Sequence, residues 1–118
     1  MIITLCGSTK YKELFESIAK KLTLKGHIIL SCSCFYHKET NKLLKKKIEK
    51  KKVLLDKIHR DKIAMSNLII VLNKNGYIGL STRKEIFYAL SKNKKVLFLE
   101  NNKTLFEIKK ELIKWQEK

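Results

Sequence analysis

Apolar and polar positions along the chain follow two rhythms. Ile2 to Cys6 is a short apolar run closed by Gly7-Ser8, the pattern of a buried strand entering a turn. Leu14, Phe15, Ile18, Ala19 and Leu22 then recur at helical spacing, and Gly26 follows a lysine-rich last turn as the stop signal. His27 to Cys32 predicts a second strand. From Glu39 to Ser66 the positions Leu44, Ile48, Leu55, Ile58, Ile63 and Met65 keep a helical rhythm, which predicts one long helix or two with a break in the lysine run. Leu68 to Leu72 is the most continuous apolar run and predicts a central strand covered on both faces. A Gly-rich loop follows, then a helix from Thr82 to Ser91, a strand from Val96 to Leu99 and a closing helix from Thr104 to Gln116.

Strands alternating with helices imply right-handed crossovers and a parallel sheet. The expectation is one small doubly wound α/β domain over residues 1–118, with four strands ordered 2-1-3-4. No proline, linker composition or internal repeat interrupts it. In such sheets ligands bind beyond the carboxyl ends of the strands, where the strand order reverses. That edge falls between Gly7-Ser8-Thr9-Lys10 and the loop from Asn73 to Ser81, which together hold most of the glycine.

Composition narrows the classes. A chain of 118 residues that is 44% hydrophobic supports a core of ordinary size. The five apolar positions of Leu68 to Leu72 fall far short of the about 20 that a membrane span requires. "MIITLCGS" has no basic leader, and the expected location is the cytoplasm, with no membrane partner. Cys6, Cys32 and Cys34 form no disulfide framework, in keeping with a reducing compartment. "CSCFYH" offers thiolates and an imidazole, but no second cluster completes a four-ligand zinc site, so no metal and no cofactor are expected. The net charge of +16 attracts phosphate. Arg60 and Arg83 are the only arginines, whereas base readers depend on the arginine fork. Nucleic-acid binding through the lysines at 45 to 47 and 50 to 52 and a merely solvated basic surface both fit this composition.

Few groups remain for chemistry. In "CGSTK", backbone N–H groups and Lys10 offer an anion site, or Ser8 or Thr9 simply caps the next helix. Thr82-Arg-Lys-Glu85 has the spacing of a capping box, as does Thr104-Leu-Phe-Glu107. Glu85 also stands after the Gly-rich loop at the ligand edge, where a helix dipole would keep a carboxylate ionised for attack. His59 shares a helix face with Ile63, as a core-edge histidine or as a proton donor to a leaving group, with Asp61 nearby. His27 and His37 receive no role. No Ser/His/Asp order, H-E-x-x-H or P-loop is present.

"LCGSTKYKELF", "IHRDKIAMSNLIIVLN" and "GYIGLSTRKEIFYAL" together resemble the nucleoside 2-deoxyribosyltransferase-like family, which includes 2'-deoxynucleoside 5'-monophosphate N-glycosidases. The resemblance covers residues 2 to 99. It implies a flavodoxin-like fold, association as a homodimer or larger assembly with a neighbour contributing to the site, and N-glycosidic cleavage through a glutamate that forms a covalent deoxyribosyl intermediate. "KEIFYAL" places that glutamate at Glu85. Gly7, Ser8, Thr9 and Lys10 would hold the 5'-phosphate with Ser81 and Thr82, and Tyr77 would cover the sugar or stack on the base. Three positions depart from the pattern. Gly79 stands where transferases on free nucleosides carry an aspartate, which tilts the expectation toward a phosphorylated ligand. His59 replaces an aspartate that assists at the base, and Lys10 replaces an arginine. The expected activity is a nucleotide N-glycosidase or deoxyribosyltransferase acting on a small nucleoside or nucleotide. A nucleotide-sensing module of the same fold and a basic nucleic-acid binder are the alternatives.

Overall fold

Four strands form in the computed structural model, which describes residues 1–100: β1 (Ile2–Cys6), β2 (Ile28–Leu30), β3 (Leu68–Val71) and β4 (Lys95–Phe98). They make one parallel sheet in the order β2-β1-β3-β4. The central register pairs Ile3 with Leu68 and Cys6 with Val71, so β1 and β3 end side by side. Four helices flank the sheet: α1 (Lys12–Thr23), α2 (Lys42–Lys50), α3 (Lys52–Met65) and α4 (Leu80–Ser91). The architecture is that of a small flavodoxin-like domain, as expected. The closing helix expected from Thr104 to Gln116 lies outside the described residues.

Period-2 alternation along β3 divides the core. Leu68, Ile70 and Leu72 join Ile3, Leu5, Phe15, Ile18 and Leu22 on the α1 side. Ile69 and Val71 join Cys6, Ile63 and Ala89 on the side of α3 and α4. Every β3 residue is buried, which explains its continuous apolar sequence. Thr4 is the polar exception in β1. Its hydroxyl donates to the Lys62 carbonyl at 3.1 Å and hydrogen-bonds the Ser66 hydroxyl, tying the end of α3 to the sheet.

Of the two readings open for the lysine-rich segment, the structure takes the second, and the strand ends shift from the expected ones by up to two residues. The lysine-rich segment is two helices, broken at Lys51 (φ −97°, ψ 12°), with Asn41 Oδ1 accepting from Leu44 N at 3.0 Å to cap α2. Helix α2 buries none of its residues, so its lysines are solvated. Helix α4 begins two residues earlier than expected, with Gly79 as its cap residue. Among the described residues, no helix is long and apolar enough to cross a membrane.

Candidate active site

The loops after β1 and β3 border a cleft of about 640 Å³ at the carboxyl edge of the sheet. Its walls take Gly7, Ser8 and Thr9 from the first loop, Tyr77, Gly79, Ser81 and Thr82 from the second loop and the start of α4, and Glu85 from within α4. Helix α3 supplies the opposite wall through Lys52, Asp56, His59 and Lys62. These four recur at spacings of three and four, one face of a helix.

Glu85 is not a capping residue. With Gly79 as the cap, Glu85 is the sixth helical residue rather than the third, and Thr82 is buried inside the first turn at 3% exposure. The capping-box reading is thereby corrected. Thr82, Glu85 and Ala89 share the face of α4 turned to the sheet, so the packing of Thr82 and Ala89 carries the carboxylate inward with them. Its Oε2 lies 3.4 Å from His59 Nε2. That approach lacks hydrogen-bond alignment, and Oε2 has no hydrogen-bond partner among the described residues.

Burial therefore controls both groups. It raises the Glu85 carboxyl to about 7, partly offset by the adjacent Cys6 thiol, which favours the charged form. The helix dipole does not keep this carboxylate ionised, because Glu85 sits beyond the first turn and out of water. Burial, aided by the charge of Lys62, lowers His59 to about 4, against a smaller opposing pull from Asp56. At neutral pH the site thus holds a neutral imidazole beside a carboxyl poised to lose its proton. Cys6 Sγ is 3.4 Å from the same Nε2. Burial pushes the Cys6 thiol well up, and the neighbouring carboxylate adds to this. Cys32, also lining the cleft, is pushed up to about 11, mainly by burial.

The phosphate-side expectations meet a different local geometry. Gly7-Ser8-Thr9-Lys10 leads into a 3-10 turn at Thr9–Tyr11, and α1 starts only at Lys12. Ser8 Oγ accepts from Lys10 N at 3.3 Å, a cap of that turn. The Thr9 hydroxyl hydrogen-bonds the ring of His37, which also lines the cleft although its sequence position gives it no role. Lys10 is not one of the lining residues, and its ammonium lies 4.3 Å from the centre of the Tyr77 ring. Gly7 is required by packing: a Cβ there would meet Leu72 Cβ and the Leu72 carbonyl at 3.2 Å. Gly79 leaves room for Tyr77, whose hydroxyl would stand 3.2 Å from an added Cβ.

Asp61, expected beside His59, points away from the cleft and pairs with Lys57 at 2.9 Å on the exposed side of α3. Two residues from His59 is roughly 200° around the helix, whereas Asp56, three residues away, shares its face. Asp56 is thus the acidic neighbour the spacing could have supplied. Cys6 is the other group missing from the sequence reading, 53 positions from His59 along the chain. The Asn73 side chain fixes the start of the second loop: Oδ1 accepts from Glu100 N at 2.8 Å, and Glu100 Oε2 accepts from Gly76 N at 3.1 Å. The chain matches no protein-family model and no curated protein.

Proposed function

We propose that this protein cleaves the N-glycosidic bond of a nucleoside 5'-monophosphate, with Glu85 as nucleophile and His59 as the proton donor to the leaving base. The observation that carries this reading is the buried Glu85 Oε2, without a hydrogen-bond partner among the described residues, 3.4 Å from a buried imidazole on a cleft of nucleotide size. A surface cap would have neither property.

One proton held between the two groups serves both roles. Moving it from Glu85 to His59 creates a carboxylate and an imidazolium together. Glu85 then attacks the anomeric carbon, the bond to the base nitrogen breaks, and His59 delivers its proton to that nitrogen. Water next attacks the glycosyl-enzyme ester, His59 accepts the water proton, and Glu85 leaves as carboxylate. The 5'-phosphate rests against the backbone of Gly7 to Thr9 and the hydroxyl of Ser81, with Lys52 on the cleft wall supplying positive charge.

Leu80 and Phe87, 71% and 72% exposed, lie on one face of α4 and support self-association, as in the homo-oligomers that the resemblance implies. Cys6, Cys32 and Cys34 are all free, which supports a cytoplasmic setting.

Chromatographic detection of free base, from a panel of deoxynucleosides, deoxynucleoside monophosphates and ribonucleoside monophosphates, tests the reading. Release from a monophosphate by the parent protein and none by Glu85→Ala is the expected result. Tight nucleotide binding with no base released, unchanged by Glu85→Gln, would instead mark a sensing module.

A further inference from the structure

Cys6 ends β1, His59 lies on α3 and Glu85 on α4, yet the Cys6 Sγ, a His59 ring nitrogen and a Glu85 carboxylate oxygen all fall within 4.8 Å of one another. Nε2 is 3.4 Å from Sγ and 3.4 Å from Oε2. A tetrahedral zinc ion, with bonds of about 2.3 Å to sulfur and about 2.0–2.2 Å to nitrogen and oxygen, separates its ligand atoms by roughly 3.4–3.6 Å. Two edges of the triangle therefore already have coordination spacing. The third, no longer than 4.8 Å, is the edge that binding would shorten. A cation would also give Oε2 the partner it lacks among the described residues.

We propose that Cys6 Sγ, His59 Nε2 and Glu85 Oε2 form a three-ligand site for a divalent ion of the zinc class, with the fourth position open to the cleft. The thiolate selects against magnesium and calcium, which take oxygen ligands. Three protein ligands and one open position is the arrangement of zinc sites that exchange a ligand. Binding replaces the Cys6 S–H bond with a metal–sulfur bond and releases that proton to solvent, while His59 keeps its proton on Nδ1. His59 and Glu85 line the cleft, which gives the ion its path in. Occupancy would withdraw nucleophile and proton donor together, so zinc would stop base release. That consequence rests on the glycosidase reading; the binding does not.

Cobalt(II) chloride titrated into the reduced, chelator-stripped full-length protein tests the site. A thiolate-to-cobalt charge-transfer band saturating at one equivalent, displaced by zinc chloride, is expected. Cys6→Ser should abolish the band, Glu85→Gln should weaken cobalt binding at least about tenfold, and Cys32→Ser/Cys34→Ser should leave both unchanged. Absence of the band at stoichiometric cobalt, or its persistence in Cys6→Ser, overturns the site. If Cys6→Ser does not fold, the other two variants decide: a band lost with Cys32 and Cys34 overturns the proposal, and one kept there but weakened in Glu85→Gln upholds it. Base release measured on the same samples separates the two claims. A band without release under any condition sinks only the glycosidase, and release without a band sinks only the metal site.

Discussion

Glu85 Oε2 and His59 Nε2 stand 3.4 Å apart at the meeting of α4 and α3, both drawn out of water by the packing of their own helices. Side-chain exposures of 20% and 11% make burial, rather than mutual attraction, the main influence on their protons. Their shifts run in opposite directions, and this sets the first two predictions.

The active form proposed above carries one proton on the pair. With His59 at about 4 and Glu85 at about 7, that form dominates between those values. In the presence of chelator, kcat/KM for a nucleoside monophosphate should be highest there and fall tenfold per pH unit well above 7. His59→Gln should lower the maximum by about 10²–10⁴-fold and invert the upper limb, because only the Glu85 carboxylate is then needed. An unchanged limb in His59→Gln would remove His59 from the proton transfer.

Stability should show the same carboxyl. The folded value of Glu85 lies above its ordinary 4.5, so its contribution is fully present below about 4.5 and is lost as pH rises through about 7. His59 behaves oppositely, favouring the fold above 6.5 and losing that contribution as pH falls through about 4. Glu85→Gln cancels only the first effect. The unfolding free energy of the variant relative to the parent should rise by on the order of 2–3 kcal/mol between pH 4.5 and 8, as read by urea titration. A flat difference would mean that the carboxyl is solvated.

The two glycines of the site loops should differ sharply. At Gly7 a methyl group meets the Leu72 backbone carbonyl and the Phe15 ring, which are held by the core, so Gly7→Ala should cost about 1–3 kcal/mol. At Gly79 it meets the end of the half-exposed Tyr77 side chain, which can swing aside. Gly79→Ala should cost under about 1 kcal/mol while raising KM for the nucleotide. Equal losses of stability in denaturant would show Tyr77 to be fixed.

Asn73 is 2% exposed and holds both backbone groups of Glu100, its Nδ2 reaching the Glu100 carbonyl at 3.5 Å. Asn73→Ala should cost about 1–3 kcal/mol, the penalty of a buried partner left unpaired. Amide exchange at Gly76 and Tyr77 should speed up more than in β1, since the Glu100 carboxylate that accepts from Gly76 loses its anchor.

Strand order was legible because each strand declares itself: β3 through an unbroken apolar run, β1 through a run stopped by glycine, and the alternation with helices through crossover geometry. The start of α4 was not. Thr82-x-x-Glu85 obeys a local capping rule, but burial of Thr82 against the sheet draws the helix back to Leu80, and tertiary packing overrides the local signal. Among the cleft-lining residues, glycines and hydroxyls were readable from their loop positions, and Glu85 from its place after the second loop. Asp56 is legible from helical period, whereas Asp61 is nearer to His59 in sequence but on another face of α3. The approach of Cys6 to His59 has no sequence signal, because it exists only once α3 lies across the end of β1.

The opening between the loops after β1 and β3 is a product of connectivity. Chain segments leaving these two neighbouring strands turn to opposite faces of the sheet, and a gap remains whatever residues line it. Such a recess takes little from the core, so its lining can be rewritten while the framework stands. For a designer, this chain offers a scaffold of modest size in which substitutions at Tyr77, Gly79 and Ser81 should retune ligand choice, with β3 left untouched.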